Sequence, residues 1–191
     1  MKINKIVLML LLLGSATPVL AHTGLGTTHG FVAGFTHPLQ GIDHLLVMFA
    51  IGLWGCILGG KQVWVLPLSF LVLMAVGAGL SFVGVKLPYV ELLITGSVLI
   101  FGVIIGFNWQ VSATFSMVLV AAAGLCHGYV HAAEITIDAT QSDYALGFLC
   151  ATACVQSLGI TASLLGKKAL QALQIGFGLT ATAAVIILLA A

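Results

Sequence analysis

The chain has 191 residues, 61% of them hydrophobic and 6% charged, with a formal net charge of +1 and a mean hydropathy of +1.22. These values describe an all-α polytopic membrane protein and exclude a soluble globular domain. Six lysines and no arginine leave no basic surface for nucleic acid, and no P-loop or dinucleotide fingerprint offers a nucleotide site.

The N-terminus carries Lys2 and Lys5, an apolar run over 6–13, and small residues up to Ala21. This pattern predicts a cleaved signal peptide over 1–21 and leaves 22–191 as one transmembrane domain; retention as an uncleaved anchor is the alternative, although the apolar run is short for a span. A Gly- and Thr-rich segment with His22 and His29 follows. Thr36 is a plausible N-cap and Pro38 suits a first helical turn. Six spans are expected, at about 38–59, 63–83, 89–107, 112–131, 144–165 and 169–191, joined by tight loops that force antiparallel neighbours. Only the link 132–143 is longer.

Gly102 with Gly106 and Gly124 with Gly128 have the small-xxx-small spacing that lets membrane helices approach closely. Cys150 and Cys154 share a helix face and read as small packing residues, with soft metal ligation as the alternative. Thr152, Gln156 and Ser157 are polar positions in the fifth span, expected to hydrogen-bond between helices. Trp54, Trp64 and Trp109 fall near one set of helix ends, as an aromatic belt requires.

Charge sets the orientation. With the signal removed, Lys61, Lys167 and Lys168 fall in cytoplasmic loops against Lys86 outside, which puts the mature N-terminus outside; the membrane expected is a bacterial inner membrane. Glu91, Glu134, Asp138 and Asp143 then lie at the outer mouth, where they would concentrate cations.

Ionisable groups inside an apolar run are costly and point to a functional site. The stretch from Thr36 to Met48 contains His37, Asp43 and His44, and an unbroken helix would put the two histidines, seven apart, on nearly one face. In the fourth span His127, His131 and Glu134 line one stripe if the helix persists. Both groups fall at matching depth in the outer half. Their nitrogen and oxygen donors suit a first-row divalent cation, with His22, His29 and Glu91 as weaker candidates. Donor type alone does not choose among nickel, cobalt and zinc. Two other readings use the same residues: an intramembrane zinc hydrolase with Asp43 or Glu134 as base, and haem held between facing histidines.

The His37-Pro38-x-x-Gly41-x-Asp43-His44 motif, followed by an apolar helix, and the later His127-Gly128-x-x-His131-x-x-Glu134 resemble those of the HupE/UreJ proteins. The resemblance implies a small secondary permease for nickel, or cobalt in some relatives, rather than an enzyme. It assigns His37, Asp43, His44, His127, His131 and Glu134 to the metal, with no prosthetic group and with the divalent ion and the lipid bilayer as partners. Uniport driven by the membrane potential is sufficient, and exchange against protons is the alternative.

Overall fold

The computed structural model describes residues 30–134 and 141–190. The expected signal peptide, His22, His29 and Asp138 lie outside the described residues. Seven α-helices occur among those that are described: α1 (Gly30–Thr36), α2 (Ile42–Leu58), α3 (Gln62–Phe82), α4 (Val90–Gly106), α5 (Ala113–Glu134), α6 (Gln141–Ala162) and α7 (Lys167–Ala190), with short 3-10 turns at His37–Leu39 and Ser163–Leu165. The all-helical expectation therefore holds. Large apolar side chains such as Val72, Leu92, Val118, Leu158, Leu179 and Ile186 face outward, so the helical bundle presents an apolar exterior suited to lipid.

Four helical stretches are long and apolar enough to cross a membrane: Gln62–Phe82, Ala113–Ala133, Ser142–Leu165 and Lys167–Ala190. Helix α4 is apolar but only 17 residues long. The first expected span needs correction. It is not a single helix over 38–59 but a pair, Gly30–Leu39 and Ile42–Leu58, bent by 84°. The break has a local cause. Pro38 sits in the first positions of the 3-10 turn, where its missing N–H leaves nothing unpaired, and the turn closes with Gln40 N–H donating to His37 O. Gly41 is then extended (φ −95°, ψ 121°) and becomes the N-cap of α2. Thr36 does not cap α2; its hydroxyl donates back to the carbonyls of Val32 and Ala33.

Helix α2 is the axis of the bundle. It buries Leu46, Val47, Met48, Ala50, Ile51, Leu53 and Trp54, and it touches α3, α4, α6 and α7. Gly59 (φ 74°) ends it, donating to Gly55 O, in the left-handed region that glycine adopts without strain. Around this axis α3 lies along α5, α4 along α7, and α1 along α6. Both anticipated glycine pairs sit in such contacts. A Cβ on Gly124 or Gly128 would run into the backbone of Phe70 or Met74 in α3, and one on Gly102 or Gly106 would meet Ala181 or Gly178 in α7.

The tryptophans divide. Trp64 and Trp109 are exposed near the ends of their helices, where a belt residue belongs. Trp54 is instead core, 1% exposed, with its ring 5.7 Å from that of Phe101. Cys150 and Cys154 do not fill the core; one is half-buried, the other exposed, and both are free thiols.

Candidate metal site

The break before α2 and the C-terminal end of α5 meet at one end of the bundle, and four imidazoles gather there. His37 comes from the 3-10 turn, His44 from the first turn of α2, and His127 and His131 from successive turns of α5. Their rings form a staircase. His37 lies 5.0 Å from His131 between ring centroids, His131 lies 4.3 Å from His44, and His44 lies 5.2 Å from His127. His127 is fully buried, His131 and His44 are buried, and His37 is half-buried at the top. The matching depth expected from helix rise is therefore found. The shared face of His37 and His44 is not, because 3.6-residue periodicity stops at Gly41; His131 brings them together instead.

Each ring is held from one side. Asp43 Oδ1 accepts from the His44 backbone N–H at 2.9 Å and from its ring Nδ1–H at 2.6 Å, which leaves Nε2 as the acceptor nitrogen of His44. His127 Nδ1–H donates to Ala123 O at 2.8 Å, so its Nε2 is also the acceptor nitrogen. That atom is buried and has no hydrogen-bond partner among the described residues. His37 Nε2 and His131 Nδ1 share one N–H···N bond of 3.1 Å. Gly41 completes the device, since a Cβ there would press on Asp43 Oδ1 at 2.8 Å and His44 Nδ1 at 3.0 Å.

Aromatic side chains that the sequence offered no reason to single out wall the site. Phe70 of α3 packs on His127, with ring centroids 5.5 Å apart, and Phe148 of α6 packs on His131 at 4.4 Å. Tyr144 stands beside His37 at 6.0 Å. A cavity of about 260 Å³, lined by Met74, Gly128, Tyr144 and Phe148, reaches His131 from between α3, α5 and α6. In the chain these aromatic residues carry no signal beyond their aromatic character, which is common in any membrane helix.

Not every expected residue joins the cluster. Glu91 is exposed in the first turn of α4, where the helix dipole favours a carboxylate. Glu134 is the last residue of α5, which does persist to that point, and its side chain lies outside the described part. Among the described residues no group of three or more His, Cys, Asp or Glu side chains is placed to hold a metal ion. The four rings are neighbours, 4.3–5.2 Å apart between successive centroids, without a formed ion shell.

The chain is 38% identical over 161 residues to Protein HupE of Rhizobium leguminosarum bv. viciae, covering 84% of this chain and 83% of that protein. No solved structure matches. The family model described as HupE / UreJ protein matches residues 10–188, a span that takes in both histidine motifs and every described helix but the last two residues of α7. On that match the chain belongs to the HupE/UreJ family.

Proposed function

We propose that this protein is a secondary permease that moves a first-row divalent metal inward, nickel first and cobalt second, through the histidine staircase. The observation that carries the proposal is the cluster itself: two helices and a turn place four imidazoles and a carboxylate together inside an apolar bundle, with Nε2 of His44 and His127 both left as acceptors. Such groups are hard to explain as packing and well suited to a borderline cation. The resemblance of the motifs to the HupE/UreJ pattern supports nickel as the cargo.

In this reading the chain crosses the membrane six times, with α1 and α2 as one broken crossing and α4 as a short one. Lys61, Lys167 and Lys168 lie at the end opposite the site, so the positive-inside rule puts the site at the outer face of a bacterial inner membrane. His37, His131 and Glu134 receive the ion, and His44 and His127 hold it deeper. Asp43 orients His44 and offsets the charge. With Oδ1 occupied by His44, it is poorly placed as the free base that a zinc hydrolase needs. An inside-negative potential of 100 mV is worth about 2.3 kcal/mol per charge, so a divalent ion gains about 4.6 kcal/mol, roughly three decades of accumulation without ATP.

The test is uptake of nickel, cobalt and zinc into proteoliposomes of the purified protein, with and without that potential. Saturable, potential-stimulated nickel uptake that is lost in His44→Ala and His127→Ala is the expected result. Stoichiometric binding without movement across the bilayer would refute the permease reading.

A further inference from the structure

A second polar position lies deeper in the bundle, on the far side of the cluster. Gln156 of α6 is 1% exposed, and neither its Oε1 nor its Nε2 has a hydrogen-bond partner among the described residues. The interhelical bond expected of it is absent. An amide stripped of water without compensation is expensive, and an orphaned one inside a membrane bundle calls for a water or an ion.

Its placement says which. Phe148, Thr152 and Gln156 follow at four-residue spacing on α6. Phe148 packs on His131, so the stripe begins at the staircase. Thr152 is fully buried; its hydroxyl donates to Phe148 O at 2.9 Å and keeps its oxygen lone pairs. Gln156 is about 12 Å beyond Phe148 along the helix axis. There α2 and α6 run in the same direction and touch at the backbone, because Gly52 has no Cβ to strike Gln156 O. One turn beyond, Cys56 Sγ approaches Ile160 O at 3.8 Å. Cys56 in turn lines a cavity of about 320 Å³ at the opposite end of the bundle, with Asn108, Gln110, Gln171, Gln174 and Lys167 around it.

From this geometry we infer that Gln156 is an inward relay for the cation. Its amide oxygen, with the Thr152 hydroxyl, takes a partly hydrated divalent ion from the histidines and passes it to the polar cavity beside Cys56. Amide and hydroxyl oxygens are weaker donors than imidazole for a first-row metal, which suits a position the ion must leave. One ammonium, Lys167, at the cavity shortens its stay there. The inference rests on the permease reading for its direction, but not for the existence of the site.

The experiment separates the two. In a background with Cys56, Cys126, Cys150 and Cys154 replaced by serine or alanine, Gln156→Cys is compared with Ser157→Cys, its exposed neighbour at the same depth. Both are treated with 2-aminoethyl methanethiosulfonate with and without nickel(II). The inference expects Gln156→Cys to react at least about tenfold faster than Ser157→Cys and to be protected by nickel. It expects Gln156→Leu to lower uptake roughly tenfold, the loss of one ligand-strength contact, while nickel affinity at the histidines, measured by titration, is unchanged. Gln156→Asn, which keeps the amide, retains part of the uptake. Reactivity no greater than that of Ser157→Cys overturns the inference. So does wild-type uptake by Gln156→Leu, which would mean that the amide holds only a structural water. If the unmodified protein moves no metal yet nickel still protects Gln156→Cys, the permease reading falls and the deep cation position stands.

Discussion

Replacing Asp43 by asparagine tests how the staircase is held. The carboxylate Oδ1 accepts two N–H groups of His44, the ring contact being short at 2.6 Å. Asparagine keeps an acceptor oxygen of similar shape and removes the charge. A hydrogen bond to an ionised group contributes about 1.5–3 kcal/mol and a neutral one about 1, so the exchange at the ring contact costs about 0.5–2 kcal/mol of ring orientation and basicity. At 1.4 kcal/mol per decade, nickel affinity falls roughly 2- to 30-fold, overlapping the lower part of the roughly 10- to 100-fold range usual for groups that orient a metal-binding histidine. Alanine removes both contacts and frees the ring, so Asp43→Ala falls by about two decades or more. The assay is competitive nickel titration of purified protein, with wild-type stoichiometry retained in Asp43→Asn. Equal damage by asparagine and alanine, with loss of a binding equivalent, would show that Asp43 ligates the ion directly and refute the orienting role.

Gly128→Leu places a side chain where the Met74 carbonyl already is; it should destabilise the protein by about 1–3 kcal/mol or more and weaken nickel binding by moving His127 and His131. Gly96→Leu, where a Cβ meets nothing within 4 Å, should leave thermal melting and binding as they are. Trp54→Ala empties a fully buried site beside Phe101 and should cost about 3–5 kcal/mol, read as a lower melting temperature, whereas exposed Trp64→Ala should be near neutral. Cysteine labelling should find the 59–61 and 163–166 loops in the cytoplasm and the 83–89 loop outside; the reverse pattern would overturn the orientation.

Much of the fold was legible because hydrocarbon imposes a simple rule: each crossing needs about 20 apolar residues, and loops must carry what polarity there is. Periodicity then placed His127 over His131 without ambiguity. It misled at His37, where Pro38 and Gly41 interrupt the helix and only tertiary contact with His131 restores the proximity. Trp54 was misjudged for a related reason: nearness to a helix end says nothing about which face of α2 is enclosed. Phe70, Tyr144 and Phe148 were illegible, since an aromatic residue facing a histidine and one facing lipid look alike in a chain.

The bend before α2 divides the first motif mechanically. His37 precedes it, on the short segment whose helix α1 is fastened to α6 by backbone contact at Gly34 with Tyr144 and at Gly147 with Phe31. Asp43 and His44 follow it and travel with the central axis, and His131 travels with α5 and its close neighbour α3. Eight consecutive residues are thus anchored to different helices. A few degrees of tilt of α1 on α6 would part His37 from His131 and leave the Asp43–His44 pair intact, with the extended backbone at Gly41 taking up the rotation.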